Sequence, residues 1–201
     1  MRKVLYAAML WLLSLTANAQ VTLNTEGQDP QYVETIKGRA QKIVDGLQLT
    51  DAQKAENVRN IIANRYFLLN DIHAKYDKNQ QDALYAELYK HHFELASSLS
   101  LYLNEEQIDA VKDGMTYGRL KRDYNAQLEM IPTLTEEEKA QILIWLKEAR
   151  EYAIDAADSK GKHFWFDKYR GRTNNWLSAR GYDLKKERDE WMKRIDNAKK
   201  K

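Results

Sequence analysis

Residues 58–76 read VRNIIANRYFLLNDIHAKY. Val58, Ile61, Ile62, Leu69, Ile72 and Tyr76 recur at helical spacing beside a charged face. An apolar stripe of this kind must be buried against a second one. Three more stripes are present. Val33, Ile36, Ala40, Ile43, Val44 and Leu47 form the first, and Leu84, Leu88, His92, Leu95, Leu99 and Tyr102 the second. Ile142, Leu143, Leu146, Ala149, Tyr152 and Ala153 form the third. No stretch alternates with period two over a strand's length. The spacing predicts an all-α fold: a single-domain helical bundle of five to seven helices over residues 29–198, the first three long and antiparallel.

The chain has 8 glycines and 2 prolines in 201 residues, so punctuation is sparse and informative. Asp29-Pro30 reads as a helix start, an acid at the N-cap and a proline in the first turn. Val21 to Gln28 reads as a mobile leader, and Tyr76 to Gln81 as a polar turn. Gly114 and Gly118 bracket Met115-Thr116-Tyr117, a loop expected after a short helix from Glu105. Pro132 breaks the chain before the next long helix. Leu49-Thr50-Asp51-Ala52-Gln53 is echoed by Leu103-Asn104-Glu105-Glu106-Gln107 and Leu134-Thr135-Glu136-Glu137-Glu138. Thr or Asn capping the helix, acids in the first turn and Gln or Glu closing a capping box explain all three. A duplicated structural unit is the other reading.

Residues 1–19 read as a cleavable signal peptide. Arg2 and Lys3 form the positive start, Val4 to Leu15 the apolar run, and Ala17-Asn18-Ala19 the cleavage site. An uncleaved anchor is the alternative. The expectation is export to the periplasm or the extracellular space, with no membrane insertion after cleavage. The chain has no cysteine, so its fold rests on its core and not on disulfides. Its 32 basic and 30 acidic residues fall to 30 against 30 without Arg2 and Lys3. That balance argues against a dedicated nucleic-acid partner.

The chemistry concentrates in GKHFWFDKYRGRTNNWLSARGY, residues 161–182, where six aromatic and five basic residues share the segment with one acid, Asp167. Gly161, Gly171 and Gly181 are expected to divide it into two short pieces, Gly181 taking the left-handed position that ends a helix. Trp165, Tyr169 and Trp176 are candidate stacking rings. Arg170, Arg172, Asn174 and Asn175 are candidate polar contacts, and Arg180 shares a helical face with Arg172 and Trp176. A sugar needs this mixture: rings for its C–H faces, amides for its hydroxyls, and arginine for a carboxylate if it is a uronate. The competing reading makes Phe164, Phe166, Trp176 and Leu177 core, with arginines lying over them.

Other signals are weaker. His91 and His92 are neighbours pointing about 100° apart on a helix, which is poor metal-ligand geometry. His92 falls on the apolar stripe and reads as core. With neither HExxH nor cysteine, no metal is predicted, and no cofactor is called for. No nucleophile elbow or phosphate loop is present. His163, Tyr169, Arg172 and Asn174 would suit a uronate-active enzyme. Asp113-Gly114-Met115-Thr116-Tyr117-Gly118 either presents a stacking tyrosine or is a plain helix end.

DGMTYG at 113–118 and KYRGRTNNWLSARGYDLKK at 168–186 resemble an uncharacterised family of secreted proteins from polysaccharide-degrading Bacteroidetes that carries a sugar-binding label. The resemblance runs from about Leu49 to Trp191. It implies a carbohydrate partner. The Leu-Thr-x-x-Gln element at 49–53 is also similar to the motif of periplasmic Spy/CpxP-like helical proteins, which act as stress chaperones or signal regulators. That likeness implies a cradle for unfolded clients. The leading expectation is non-catalytic binding of a carbohydrate, of acidic plant type if the arginines meet its carboxylates. A chaperone-like interaction protein follows, then a uronate-active enzyme.

Overall fold

The computed structural model describes residues 20–199. The expected signal peptide at 1–19 lies outside the described residues, as do Lys200 and Lys201 of the lysine run 199–201, which reads from sequence as a solvated basic tail. Nine helices and no strand occur among those described. They are α1 (Pro30–Gly46), α2 (Ala52–Lys75), α3 (Gln81–His91), α4 (Glu94–Leu99), α5 (Glu105–Met115), α6 (Arg119–Met130), α7 (Glu136–Ala153), α8 (Ser159–Ala179) and α9 (Leu184–Lys199). The all-α expectation holds, but the count exceeds five to seven.

The extra helices come from breaks that periodicity does not show. The stripe from Leu84 to Tyr102, expected to form the third long helix, divides at His92-Phe93 into α3 and the six-residue α4. There the buried Arg65 guanidinium on α2 donates to the His91 carbonyl at 2.8 Å. A side chain entering the ladder is a recognised cause of such a break. Conversely, Gly161 and Gly171 do not divide the aromatic-basic segment, which runs inside the single 21-residue α8. Only Gly181 behaves as expected. Its φ is +96°, with Gly181 N–H bonding to the Ser178 carbonyl and Tyr182 N–H to that of Leu177. That is the Schellman pattern of a helix end.

The caps largely match. Asp29 accepts from Tyr32 N–H with Pro30 following. Asn104–Gln107 and Thr135–Glu138 form complete capping boxes. In the first copy the cap is Asp51 instead of Thr50, accepting from Lys54 N–H. The register of the pattern is shifted there by one residue. Gly114 is not a terminator. It lies in α5, and a Cβ on it would stand 2.9 Å from Ile43 Cγ1, so it permits close approach to α1. The left-handed residues that turn α5 into α6 are Tyr117 and Gly118, at φ +61° and +62°.

One core joins α1, α2, α4 and α5 through Ile36, Ile62, Leu99, Val111 and Met115. A second joins α6, α7 and α8 through Ile131, Ile142, Phe166 and Leu177. A third, smaller cluster packs Leu69 and Ile72 of α2 on Leu84 and Leu88 of α3. Val21 to Gln28, read as a mobile leader, is instead laced to α2. Val21 N–H donates to Asn57 and Asn60 donates back to the Val21 carbonyl, while Asn64 bonds both Asn24 N–H and the Thr22 carbonyl. Gln28 then donates to Asp71. These α2 residues recur on one helical face. No described helix is long and apolar enough to cross a membrane.

Candidate functional site

Ion pairs tie helices together within and between the two larger cores. Arg150 on α7 donates to Asp109 at 2.6 Å and Asp113 at 2.7 Å on α5. Burial would raise the Asp109 carboxyl, but Arg150 and Lys147 outweigh it and hold it low. Arg119 on α6 donates to Asp167 and to His163 Nδ1 on α8. Arg65 on α2 donates to Asp155, just after α7, at 2.6 Å.

Asp155, paired from behind by Arg65, lies at the floor of a groove of about 760 Å³ between α3–α4 and α7–α8. Asp155 is buried, and its second oxygen accepts from His92 Nδ1 at 2.6 Å. Its backbone carbonyl accepts from His73 Nε2 at 2.8 Å. Those bonds fix the two imidazoles. His92 Nε2 is left 3.7 Å from Glu151, whose carboxylate Lys112 holds at 2.7 Å. An imidazole oriented by a carboxylate on Nδ1, its other nitrogen unhindered, can bind a hydroxyl or move a proton.

Aromatic rings form the walls. Tyr85 and Tyr89 on α3 and Phe93 after it stand on one side, with exposures of 52%, 70% and 63%. Tyr152 on α7 and Phe164 and Trp165 on α8 stand on the other. Tyr152 and Trp165 stack at 4.5 Å and 18°, and Phe164 meets Trp165 edge-on. Six large aromatic side chains are exposed among the described residues, and five of them line this groove. The remaining charged lining is acidic: Glu148, Glu151, Asp155 and Asp158.

The sequence-predicted residues distribute around this groove without filling it. Trp165 alone lines it. Tyr169 is buried, and burial together with its hydrogen bond to Glu148 pushes the phenol well above its usual value. Arg172 lies over Trp145 at 4.7 Å and reaches the same Glu148 at 3.4 Å. Tyr169 and Arg172 therefore position a groove carboxylate from behind. Trp176 is half-buried edge-on against Trp145, with the Arg180 guanidinium 4.4 Å over its face. Arg170 and Asn174 meet Arg188 and Trp191 at a separate hollow of about 520 Å³ between α6–α7 and α8–α9. Asn175 is exposed. Phe166 and Leu177 are core, and Phe164 is not.

His92 is not the core residue its stripe implied; it closes α3 and faces the groove. The wall residues Tyr85, Tyr89 and Phe93 carried a readable signal. They recur every fourth residue, one position beyond the buried Leu84 and Leu88. Asp155 and His73 carried none, because 82 residues separate them in the chain.

A family model described as Protein of unknown function (DUF3826) matches residues 33–83 and 77–197, ranges that contain both walls and the floor of the groove. No curated protein matches the chain.

Proposed function

The chain belongs to the DUF3826 family of unknown function, and from its own geometry we propose that it binds a carbohydrate, without chemistry, in the groove between α3–α4 and α7–α8. One observation carries the reading: five of the six exposed large aromatic side chains converge on one cleft whose floor is polar. Ligand sites combine mostly apolar walls with a few placed polar groups. Here the Tyr85, Tyr89 and Phe93 rings would take sugar C–H faces, and Glu148, Glu151, Asp155 and His92 would take hydroxyls. The groove lining contains four carboxylates and no lysine or arginine. Arg65, Lys112 and Arg172 pair three of these carboxylates from behind, and no cation lines the cleft to meet a uronate carboxylate, so the ligand class is a neutral oligosaccharide.

A chaperone-like surface would need a broad apolar patch. Four carboxylates in the cleft favour a hydroxyl-rich ligand over an apolar client. A uronate-active enzyme would need arginine beside the substrate carboxylate, and Arg170, Arg172 and Arg180 face elsewhere.

Calorimetric titration with cello-, xylo- and manno-oligosaccharides tests the proposal, with oligogalacturonides as the acidic comparison. Binding of a neutral oligomer is expected. Tyr89→Ala and Phe93→Ala should each weaken it about tenfold or more, the scale of an anchoring contact, while the melting temperature stays put. Binding that survives both substitutions, or that appears only with the galacturonides, defeats it.

A further inference from the structure

The sixth exposed aromatic, Tyr117, stands apart from the groove at a second kind of cleft. It occupies the α5–α6 turn with a left-handed backbone, which is uncommon for a bulky residue and concentrates where function holds it. Its ring lines a pocket of about 540 Å³ together with Arg39 and Lys42 of α1, Tyr66 of α2 and Gly114 of α5. The charges are the reverse of the groove's. The pocket's charged lining is Arg39 and Lys42 alone. Neither has an ion-pair partner among the described residues.

A third cation stands beside the same wall. Lys162 on α8 is 4% exposed, and its ammonium has no hydrogen-bond partner among the described residues. It lies 5.6 Å over the ring of Tyr66. Burial chiefly lowers Lys162, to about 8, and Arg39 and Arg65 lower it further against the pull of Asp155 and Asp158. Arg39 also acts on Tyr66, whose phenol burial and Tyr117 push up to about 12. Arg39, Tyr66, Tyr117 and Lys162 are thus close enough to influence one another. No carboxylate comes within ion-pair distance of Arg39 or Lys162 among the described residues.

We propose that this pocket binds a small ligand bearing an oxyanion, a carboxylate or a phosphate. Arg39 offers a planar fork and Lys42 a point charge. The phenol of Tyr66, which burial keeps protonated at neutral pH, and the hydroxyl of Tyr117 supply neutral donors. Lys162 supplies a fixed positive field beside the Tyr66 wall, strong because water is excluded there. Ring and charge together suit an anionic sugar, either a uronate or a sugar phosphate. The site is independent of the neutral groove and stands or falls without it.

The test uses calorimetry and thermal shift at low salt with two probes, glucuronate and inorganic phosphate. Binding is expected in the wild type, with the affinity falling as salt rises. Arg39 and Lys42 are exposed, so the Arg39→Ala/Lys42→Ala double variant should fold and lose at least tenfold in affinity. Lys162→Met should weaken binding as well, and Arg39→Lys should retain more than Arg39→Ala. Response to glucuronate alone assigns the carboxylate class, and to phosphate alone the phosphate class. No heat or thermal shift with either probe at about 10 mM, or equal binding by the double variant, overturns the proposal.

Discussion

The outward face of α8 and the wall of α3 are both rich in aromatic residues, yet they treat their rings oppositely. On α8 a cation lies over the Trp165 and Trp176 rings: Lys168 at 4.8 Å and Arg180 at 4.4 Å. Those partners sit three and four residues on, where helical geometry brings side chains together. On α3 the residue four beyond Tyr85 is Tyr89, and four beyond that is Phe93. Glu87 holds the nearby Lys90 at 2.7 Å and meets Lys75 at 3.8 Å. No cation covers these rings among the described residues. Dense local chemistry therefore marks a region that satisfies itself, and a sparse stripe of rings marks the one left for a ligand.

The harshest way to break this comparison is Arg65→Ala. It would leave Asp155 buried beside two imidazoles without its guanidinium and free the His91 carbonyl. Removing one partner of a buried pair costs about 3–5 kcal/mol. The urea midpoint should fall accordingly, and oligosaccharide binding should fall with it, because the groove floor and the α3–α4 break share this one residue. A midpoint within error of wild type would mean that the pair holds neither.

Lys162→Met asks whether α8 is scaffold throughout. In the unfolded chain the ammonium titrates near its ordinary value, and in the fold it titrates at about 8. Below that both states are charged, and the folded one bears the burial penalty. Between about 8 and 10.4 the unfolded chain binds a proton the fold does not, so wild-type stability should rise with pH there. The variant should be more stable at pH 7 by about 3 kcal/mol, at about 1.4 kcal/mol per pKa unit. The gap should close by pH 10. Chemical denaturation at pH 7, 8.5 and 10 reads it; a gap that widens with pH contradicts the assignment of Lys162 as an uncompensated buried cation.

Trp176→Ala separates the two aromatic sets directly. The indole is half-buried against Trp145, so its loss should cost about 2 kcal/mol of stability, the scale of a partly buried large apolar side chain. Groove binding should stay within twofold of wild type. If binding collapsed while the melting temperature held, the α8 face would be the ligand surface after all.

The helical fold was legible because its stripes are long and its caps local. Asp29, Asn104 and Thr135 act on amides three residues away, well inside the window a sequence displays. The break at His92-Phe93 was not legible, since its cause is a guanidinium 26 residues upstream. The same range problem hid the site. Asp155 joins Arg65 and His92 only across the assembled bundle. Tyr169 and Arg172 drew attention for the right chemistry but the wrong place, because their neighbour Glu148 on α7 absorbs them. Conversely, the asparagines that tie down residues 21–24 look like ordinary polar positions of an amphipathic helix until the extended strap is laid beside them.

The mildest test is Gly171→Ala. Sequence marks Gly171 as a divider, whereas the fold carries α8 straight through it. It is exposed, and an added Cβ would meet nothing within 4 Å. An exposed glycine inside a helix is less favourable than alanine by about 0.5–1 kcal/mol, chiefly because it leaves more freedom to the unfolded chain. The substitution should therefore raise stability by that amount, seen as a small upward shift in melting temperature, and leave oligosaccharide binding unchanged. Stiffening the α8 scaffold without touching the groove is what the contrast between the two regions requires. A destabilised variant would show that α8 bends at Gly171 in solution, and that the two pieces expected from its glycines describe the working state.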